Sequence, residues 1–379
     1  MPRAPCLAIA AGHGVPLPEE NTMIRLQRSV LRLWPRRLLP SLLTLPLAAL
    51  LAACGGPPAT GSESATAAAP AASAGYQPRR PECIAPASPG GSFDLTCKLA
   101  QSALVQGNLL SRPMRVTYMP GGVGAVAYNT MVAQRPADGD VITAFSSGSL
   151  LNLAQGKFGQ YDETAVRWLA AVGTSYGAIT VRSDSPYRTL ADLVAALRRA
   201  PDQVVIGAGG TVGGQDWMQT AMLAKAAGVT PARLRYVAME GGGEIATALL
   251  GGHIQVGSTD ISDSMPHVAS GALRVLAVLS EERLPGPGMA ELPTAREQGY
   301  DVVWKVMRGY YMGPQVDDAQ YAYWKGAFDT LLQSPEFARL RSERELFPLA
   351  LTGPALDAEV RAEVARYREL AREFGLVTR

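Results

Sequence analysis

The sequence predicts an α/β protein folded as two lobes, and three observations carry that expectation. Short apolar runs alternate with helical patterns of period 3.6 from residue 79 onward, which is the signature of α/β layers with mainly parallel strands. The block 204–279 reads as a strand–helix–strand–helix–strand unit set between similar material on both sides, so the chain crosses twice between two bodies. The composition, 379 residues with 47% hydrophobic and 18% charged, is enough for two domains.

The first 53 residues read as a leader outside the fold. From Met23, the better start codon, a basic stretch carries Arg25, Arg28, Arg32, Arg36 and Arg37, and an apolar run then ends in Leu51-Ala52-Ala53-Cys54. A basic region, a short apolar core and small residues make a secretory signal rather than a membrane span. Its end resembles a bacterial lipobox, which makes Cys54 the expected lipid acceptor and the periplasm the expected location. Residues 54–78, rich in Ala, Ser, Thr, Gly and Pro, are expected to form a flexible tether. Removing the leader's six arginines and two glutamates leaves 29 basic and 31 acidic residues, about −2 net. No basic field remains to steer nucleic acid.

In chain order, strands are expected at 82–85, 114–118, 141–145, 168–172, 178–181, 204–207, 234–237, 254–258, 275–279 and 310–312. Helices are expected at 93–106, 125–133, 190–199, 214–227, 244–250, 319–332, 335–343 and 356–374. The first helix places Phe93, Cys97, Ala100 and Leu104 on one face. The lobes would be 79–181 plus 284–379, and 182–283.

Four cysteines are present. Cys6 precedes the expected start and Cys54 is the lipid candidate. Cys83 and Cys97 remain as a disulfide in an oxidising compartment, with loop closure worth roughly 3 kcal/mol. Two buried free thiols and a metal pair are the alternatives. His13, His253 and His267 are scattered and form no ligand cluster, so neither metal nor cofactor is expected.

The stretch between those cysteines carries the first candidate site. Ser88, Pro89, Gly90 and Gly91 lead straight into a helix, where backbone N–H groups and the helix dipole favour an anion. Asp94 falls in the first turn, as a dipole-complementing residue or a ligand contact. A second glycine-rich loop, 207–214, contributes Gly209, Gly210 and Thr211. Its G-x-G-x-x-x-G spacing fails the dinucleotide pattern, and no acidic residue ends a following strand to hold a ribose. Ser146 and Ser147 end a strand with hydroxyls able to donate to a carboxylate, and Arg308 offers a guanidinium fork. No G-x-S-x-G, H-E-x-x-H or Walker sequence is present, so no catalytic constellation stands out.

Several motifs then fall in a familiar order. Pro89-Gly90-Gly91-Ser92-Phe93-Asp94 matches the P-G-G-x-x-D motif of the periplasmic solute receptors of tripartite tricarboxylate transporters, the Bug/TctC family. Pro120-Gly121-Gly122-Val123-Gly124, Ala137-Asp138-Gly139, Leu249-Leu250-Gly251-Gly252-His253 and Pro293-Thr294-Ala295-Arg296-Glu297-Gln298-Gly299-Tyr300 follow. The Cys83 to Cys97 segment and the run from Met307 to Pro314 look most like the tricarboxylate-binding branch. Met239-Glu240-Gly241 departs from the Tyr-Lys-Gly of many members. The resemblance implies a type II periplasmic-binding architecture and a monomeric, non-enzymatic receptor. It would close on a small citrate-like carboxylate and deliver it to membrane permease subunits. A receptor feeding a two-component sensor and an exported lipoprotein enzyme acting on carboxylates are the alternatives.

Overall fold

The computed structural model describes residues 75–239 and 241–376. The expectations for the leader, Cys54 and Glu240 fall outside them. In chain order the elements are β1 (Glu82–Ala85), α1 (Ser92–Gln106), β2 (Arg115–Tyr118), α2 (Ala125–Ala133), β3 (Val141–Ser146), α3 (Ser147–Ala154) and β4 (Arg167–Arg182). There follow α4 (Leu190–Arg199), β5 (Val205–Gly209), α5 (Gln215–Ala226), β6 (Arg235–Met239), α6 (Gly242–Leu250), β7 (Val256–Asp260), α7 (Ile261–Ala269) and β8 (Leu273–Val278). The chain ends with β9 (Lys305–Met312), α8 (Asp318–Leu332), α9 (Pro335–Ser342), β10 (Leu351–Thr352) and α10 (Gly353–Glu373).

The strands run in the order β2-β1-β3-β9-β4-β7-β5-β6, with β8 and β10 also pairing with β4. β1 is parallel to β2 and β3, and β5 is parallel to β6 and β7. Every pairing made by β4 or β9 is antiparallel. The sheet is therefore mixed rather than mainly parallel. Two parallel groups are joined through strands that return the chain across the middle, and those strands must run the other way.

β4 shows why sequence reading split it in two. Its apolar ends flank Gly173-Thr174-Ser175-Tyr176-Gly177, a polar stretch that looks like a turn. In the fold it stays extended for 16 residues. Its glycines are there because neighbours press on the strand. A Cβ on Gly177 would stand 2.6 Å from the Gln219 side-chain amide, and one on Gly173 would stand 3.1 Å from Leu346.

Burial follows the layers. β1 and β3 are buried along their whole length, as expected of strands covered on both faces. One core is built from α1, α8 and α9 with residues such as Leu99, Tyr310, Trp324 and Phe328. A second runs from Tyr128, Phe145 and Trp168 through Leu193, Trp217 and Met218 to Val360 and Tyr367. Trp304 stacks on Tyr367 at 5.3 Å, pinning α10 to the chain that enters β9.

Candidate functional site

Strand register locates the site. β3 ends at Ser146, which pairs with Arg308 of β9, and Arg308 pairs in turn with Gly173 of β4. From the other parallel group, β7 ends at Asp260, which pairs with Gly177 of β4. The carboxyl ends of the two groups thus converge from opposite sides on residues 173–177, an interval spanning roughly 13 Å. Ligands of open α/β sheets bind outside such strand ends.

At the centre lies a buried ion pair. Arg308, 5% exposed, places Nη2 2.7 Å from Asp260 Oδ2. Ser175 Oγ donates to the same Oδ2, while the N–H and hydroxyl of Ser262 donate to Oδ1 at 3.2 and 3.0 Å. Arg308 was expected as a free fork for a ligand; instead one arm of it already holds Asp260. Burying either partner alone would be costly, so the pair fixes β9 against β7.

The strand-to-helix junctions surround this pair. β3 passes into α3 at Ser146/Ser147 and β7 into α7 at Asp260/Ile261, with no intervening loop. Neither short helix was read from the sequence, because Ser-Ser-Gly-Ser and a run containing Pro266 both resemble turns. Ser147 also departs from its expected role. It is 0% exposed, donates through Oγ to Glu363 at 2.7 Å and accepts the Met307 N–H at 2.8 Å. The hydroxyl does meet a carboxylate, but one belonging to α10, and burial raises that carboxyl's pKa.

Both glycine-rich loops are closed by aspartates. Gly90 N–H donates to Asp94 Oδ2 at 2.7 Å, and Asp94 also receives the Lys98 ammonium at 2.7 Å and the Tyr118 hydroxyl at 3.0 Å. With its side chain 0% exposed and these three partners in place, Asp94 holds the loop. Gly91 N–H points to the Ser88 carbonyl at 3.4 Å, and Pro89 completes an exposed turn between them. In the second loop Gly209 N–H donates to Asp216 Oδ2 at 3.0 Å and Gly210 N–H to the Met239 carbonyl at 2.8 Å. A Cβ on Gly209 would lie 2.7 Å from Asp216 Oδ2, so glycine is required for that approach. Thr211 stays exposed and its carbonyl accepts Gly214 N–H. The N–H groups of Gly90, Gly91, Gly209 and Gly210, expected as donors to an anion, thus have internal acceptors in this structure. The first turns of α1, α3, α5 and α6 present further leading N–H groups that have no partner inside the helix.

Cys83 in β1 and Cys97 in α1 form a disulfide, Cα–Cα 5.6 Å, which fixes the first loop between strand and helix.

Residues that sequence reading passed over complete the surroundings. Val123, within the Gly-rich motif 120–124, adopts φ 53°, ψ 43°, which a β-branched residue rarely does. Ser149 Oγ and Asn152 Nδ2 of α3 hold that turn through the carbonyls of Val123 and Gly122. Gln155 Nε2 at the end of α3 reaches the Gly213 carbonyl at 2.7 Å, tying the helix after β3 to the loop after β5. Asp263 lies over Gly242 at the start of α6, where no Cβ fits.

The acidic groups set the electrostatics. Loss of solvation, with Asp263 and Asp260 nearby, pushes the Asp216 carboxyl up to about 7. Asp263 rises as well, through burial of its carboxyl and the charge of Asp260, although its side chain keeps contact with water. Glu345 is raised by burial and by Asp260. One buried arginine therefore faces several carboxyls, two of which hold protons easily near neutrality. Among the described residues no group of three or more His, Cys, Asp or Glu side chains is placed to hold a metal ion.

Comparison with known proteins decides what this geometry belongs to. The sequence profile of the tripartite tricarboxylate transporter family receptor, TctC, matches residues 100–376. The chain belongs to this receptor family. TctC receptors bind solutes and are not enzymes, and the fold here is the mixed α/β, periplasmic-binding-protein-like fold of solved TctC and Bug proteins. Protein BugT of Bordetella pertussis is 26% identical over 236 residues, 62% of this chain and 70% of that protein. Periplasmic binding protein BugD superposes with a TM-score of 0.69 at 21% identity, covering 79% of this chain and 99% of BugD. MatC from Rhodopseudomonas palustris, solved with bound malate, superposes with a TM-score of 0.66 at 18% identity, covering 77% and 98%. The profile begins after the Pro89 to Asp94 motif, so the TctC match rests on the rest of the chain. Among the described residues no helix is long and apolar enough to cross a membrane.

Proposed function

We propose that this TctC receptor binds a small di- or tricarboxylate, of malate or citrate type, and delivers it to the permease subunits of a tripartite transporter. The ligand would lie between lobe 79–181 plus 284–379 and lobe 182–283. The observation that carries this reading is the convergence of two sets of strand ends on 173–177 around the Arg308–Asp260 pair. Helix N-termini from both sides would supply neutral N–H donors, which suit a reversible carrier because their binding does not itself need a charged side chain. β4, running through both groups, and the residues that leave and re-enter at 182 and 284 would act as the hinge. MatC was solved with malate, and a further R. palustris structure of this fold, TM-score 0.68, with adipate. Both ligands carry two carboxylates, which agrees with donors on two sides of a cleft.

The leader at 1–53, the lipid on Cys54 and the tether 54–78 belong to the same proposal, as the means of holding the receptor outside the cytoplasm near its permease. Calorimetry with malate, adipate, citrate and tricarballylate tests the ligand class. Saturable heat with at least one of them is expected, and flat titrations against all four, from protein with native circular dichroism, would reject it.

A further inference from the structure

The opposite edge of the sheet carries a second charged feature that carboxylate binding does not use. β1, β2 and β3 are parallel, so the N-terminal ends at Glu82, Arg115 and Val141 lie together, away from the ends that form the candidate cleft. There a cavity of about 700 Å³ is lined by Arg79, Arg80, Arg112, Arg115 and Arg135, with Glu82, Asp138 and Asp140.

The acids in it are already committed. Glu82 holds Arg115 at 3.1 Å and Arg135 at 3.0 Å, and Asp138 holds Arg135 at 2.8 Å. These hydrogen bonds outweigh the cost of burial and keep the Glu82 pKa down at about 2, so Glu82 stays charged and stays paired. Asp140 receives the backbone N–H groups of Arg79 and Arg80 at 3.0 and 2.9 Å and the Tyr76 hydroxyl at 2.9 Å. That fixes the chain at 79–80 while leaving both guanidinium groups outside. Arg79, Arg80 and Arg112 are exposed and have no acidic partner among the described residues. Planar guanidinium forks on a fixed backbone match phosphate oxygens two at a time.

We propose that this arginine cavity receives the phosphate headgroups of an anionic phospholipid surface, seating the receptor with its candidate cleft turned away from the membrane. The position of the chain selects the membrane as the source of phosphate. The described body begins at Gly75, its Tyr76 hydroxyl donates to Asp140 of the cavity lining, and the lipid-acceptor candidate Cys54 lies 21 residues before Gly75. If the Ala/Ser/Thr/Gly/Pro-rich stretch from Cys54 is the flexible tether of the proposed function, it would average about 25 Å from end to end. An anchor on Cys54, as the proposed function has it, would then keep this face, rather than the cleft, close to the headgroups.

The test uses the body from residue 67, which contains every strand, helix and core cluster described above and lacks Cys54. Its outcome is thus independent of lipidation and of carboxylate binding. Co-sedimentation with phosphatidylcholine vesicles is compared with an equal mixture of phosphatidylcholine and phosphatidylglycerol. Binding only to the anionic vesicles is expected. It should weaken as salt is raised and fall about a hundredfold in the combined R79Q, R80Q and R112Q variant, since each basic residue near an anionic surface contributes roughly fivefold. Should that variant lose its native circular dichroism, Arg112→Gln alone must still show a severalfold loss. Equal binding to both vesicle types, an unchanged variant, or no vesicle binding overturns the proposal. Stabilisation by inorganic phosphate without vesicle binding overturns it in favour of a free-phosphate site.

Discussion

The loops after β1 and β5 use one device with opposite chemistry. In each, an aspartate in the first turn of the following helix turns back to accept an N–H from a loop glycine, Gly90 to Asp94 and Gly209 to Asp216. Around Asp94 the Lys98 ammonium, Gly90 N–H and Tyr118 hydroxyl outweigh the cost of burial and lower its pKa. Around Asp216 no cation acts among the described residues; desolvation and neighbouring aspartates raise it to about 7. The first loop is further closed by a disulfide, whereas the second is framed by the Tyr236 hydroxyl donating to the carbonyls of Ala208 and Gly210. One loop is fixed at every physiological pH, and the other can change its charge near neutrality.

The largest effect should come from loosening the fixed loop. Replacing Cys83 and Cys97 together with serine should cost about 3 kcal/mol, because the bond closes a short loop whose freedom the unfolded chain would regain. Both residues are fully buried, so polar serines there add to the loss. Chemical denaturation reads it, and an unchanged midpoint would remove the disulfide from the comparison.

Next come two substitutions of the same kind with opposite signs. Asp94→Asn removes a charge that its surroundings favour and should destabilise by about 1–2 kcal/mol at pH 7. Asp216→Asn keeps an acceptor for Gly209 N–H while removing a charge that its surroundings oppose. It should stabilise by about 1 kcal/mol at pH 8. The pH dependence follows from the direction of each shift. A lowered pKa gives Asp94 a contribution present above the ordinary value of 3.8 and lost as pH falls through the folded value. For Asp216 the folded carboxyl keeps its proton while the unfolded one has lost it, so its contribution to stability declines as pH rises from about 4 to about 7. In Asp216→Asn that decline should flatten. Thermal unfolding across this range checks both, and equal signs for the two variants would dissolve the contrast.

Sequence reading found these loops and the Cys83–Cys97 bond that closes the first, but not the aspartates that hold their glycine N–H groups. The bounds of α2 and α4 were legible: α4 carries its apolar residues on one face, and α2 is an apolar run that starts directly after the glycine-rich turn 120–124. Sequence reading missed α3 and α7, because each starts on the residue directly after a strand with no turn between, in sequence otherwise typical of turns. It split β4 because the polar residues at 173–177 answer to partners on β7, β9 and α5, which are far away in sequence. The same distance hid the site chemistry. Arg308 was visible as a cation, but Asp260, 48 residues before it, gave no local sign of pairing with it. Ser147 looked like a donor awaiting an anion, and only the packing of α10 supplies Glu363.

The smallest predicted effect bears most directly on function. If the proposed di- or tricarboxylate enters beside Asp216, it adds negative charge to a group that Asp263, Asp260 and Tyr236 already surround, with Arg308 held by Asp260. Binding should therefore draw a proton onto Asp216 rather than meet a second anion there. If the bound state raises its pKa by about one, affinity at pH 6 should exceed that at pH 8 by about fivefold. Calorimetry in buffers of different ionisation enthalpy should show fractional proton uptake at pH 7.5. Asp94, holding its charge throughout this range, contributes nothing to that uptake, so Asp94→Asn should leave the pH ratio unchanged while Asp216→Asn abolishes it. A ratio of one in the wild type, or its persistence in Asp216→Asn, would mean that the ligand does not reach the second loop, and the site would then belong to the α1 and α3 side alone.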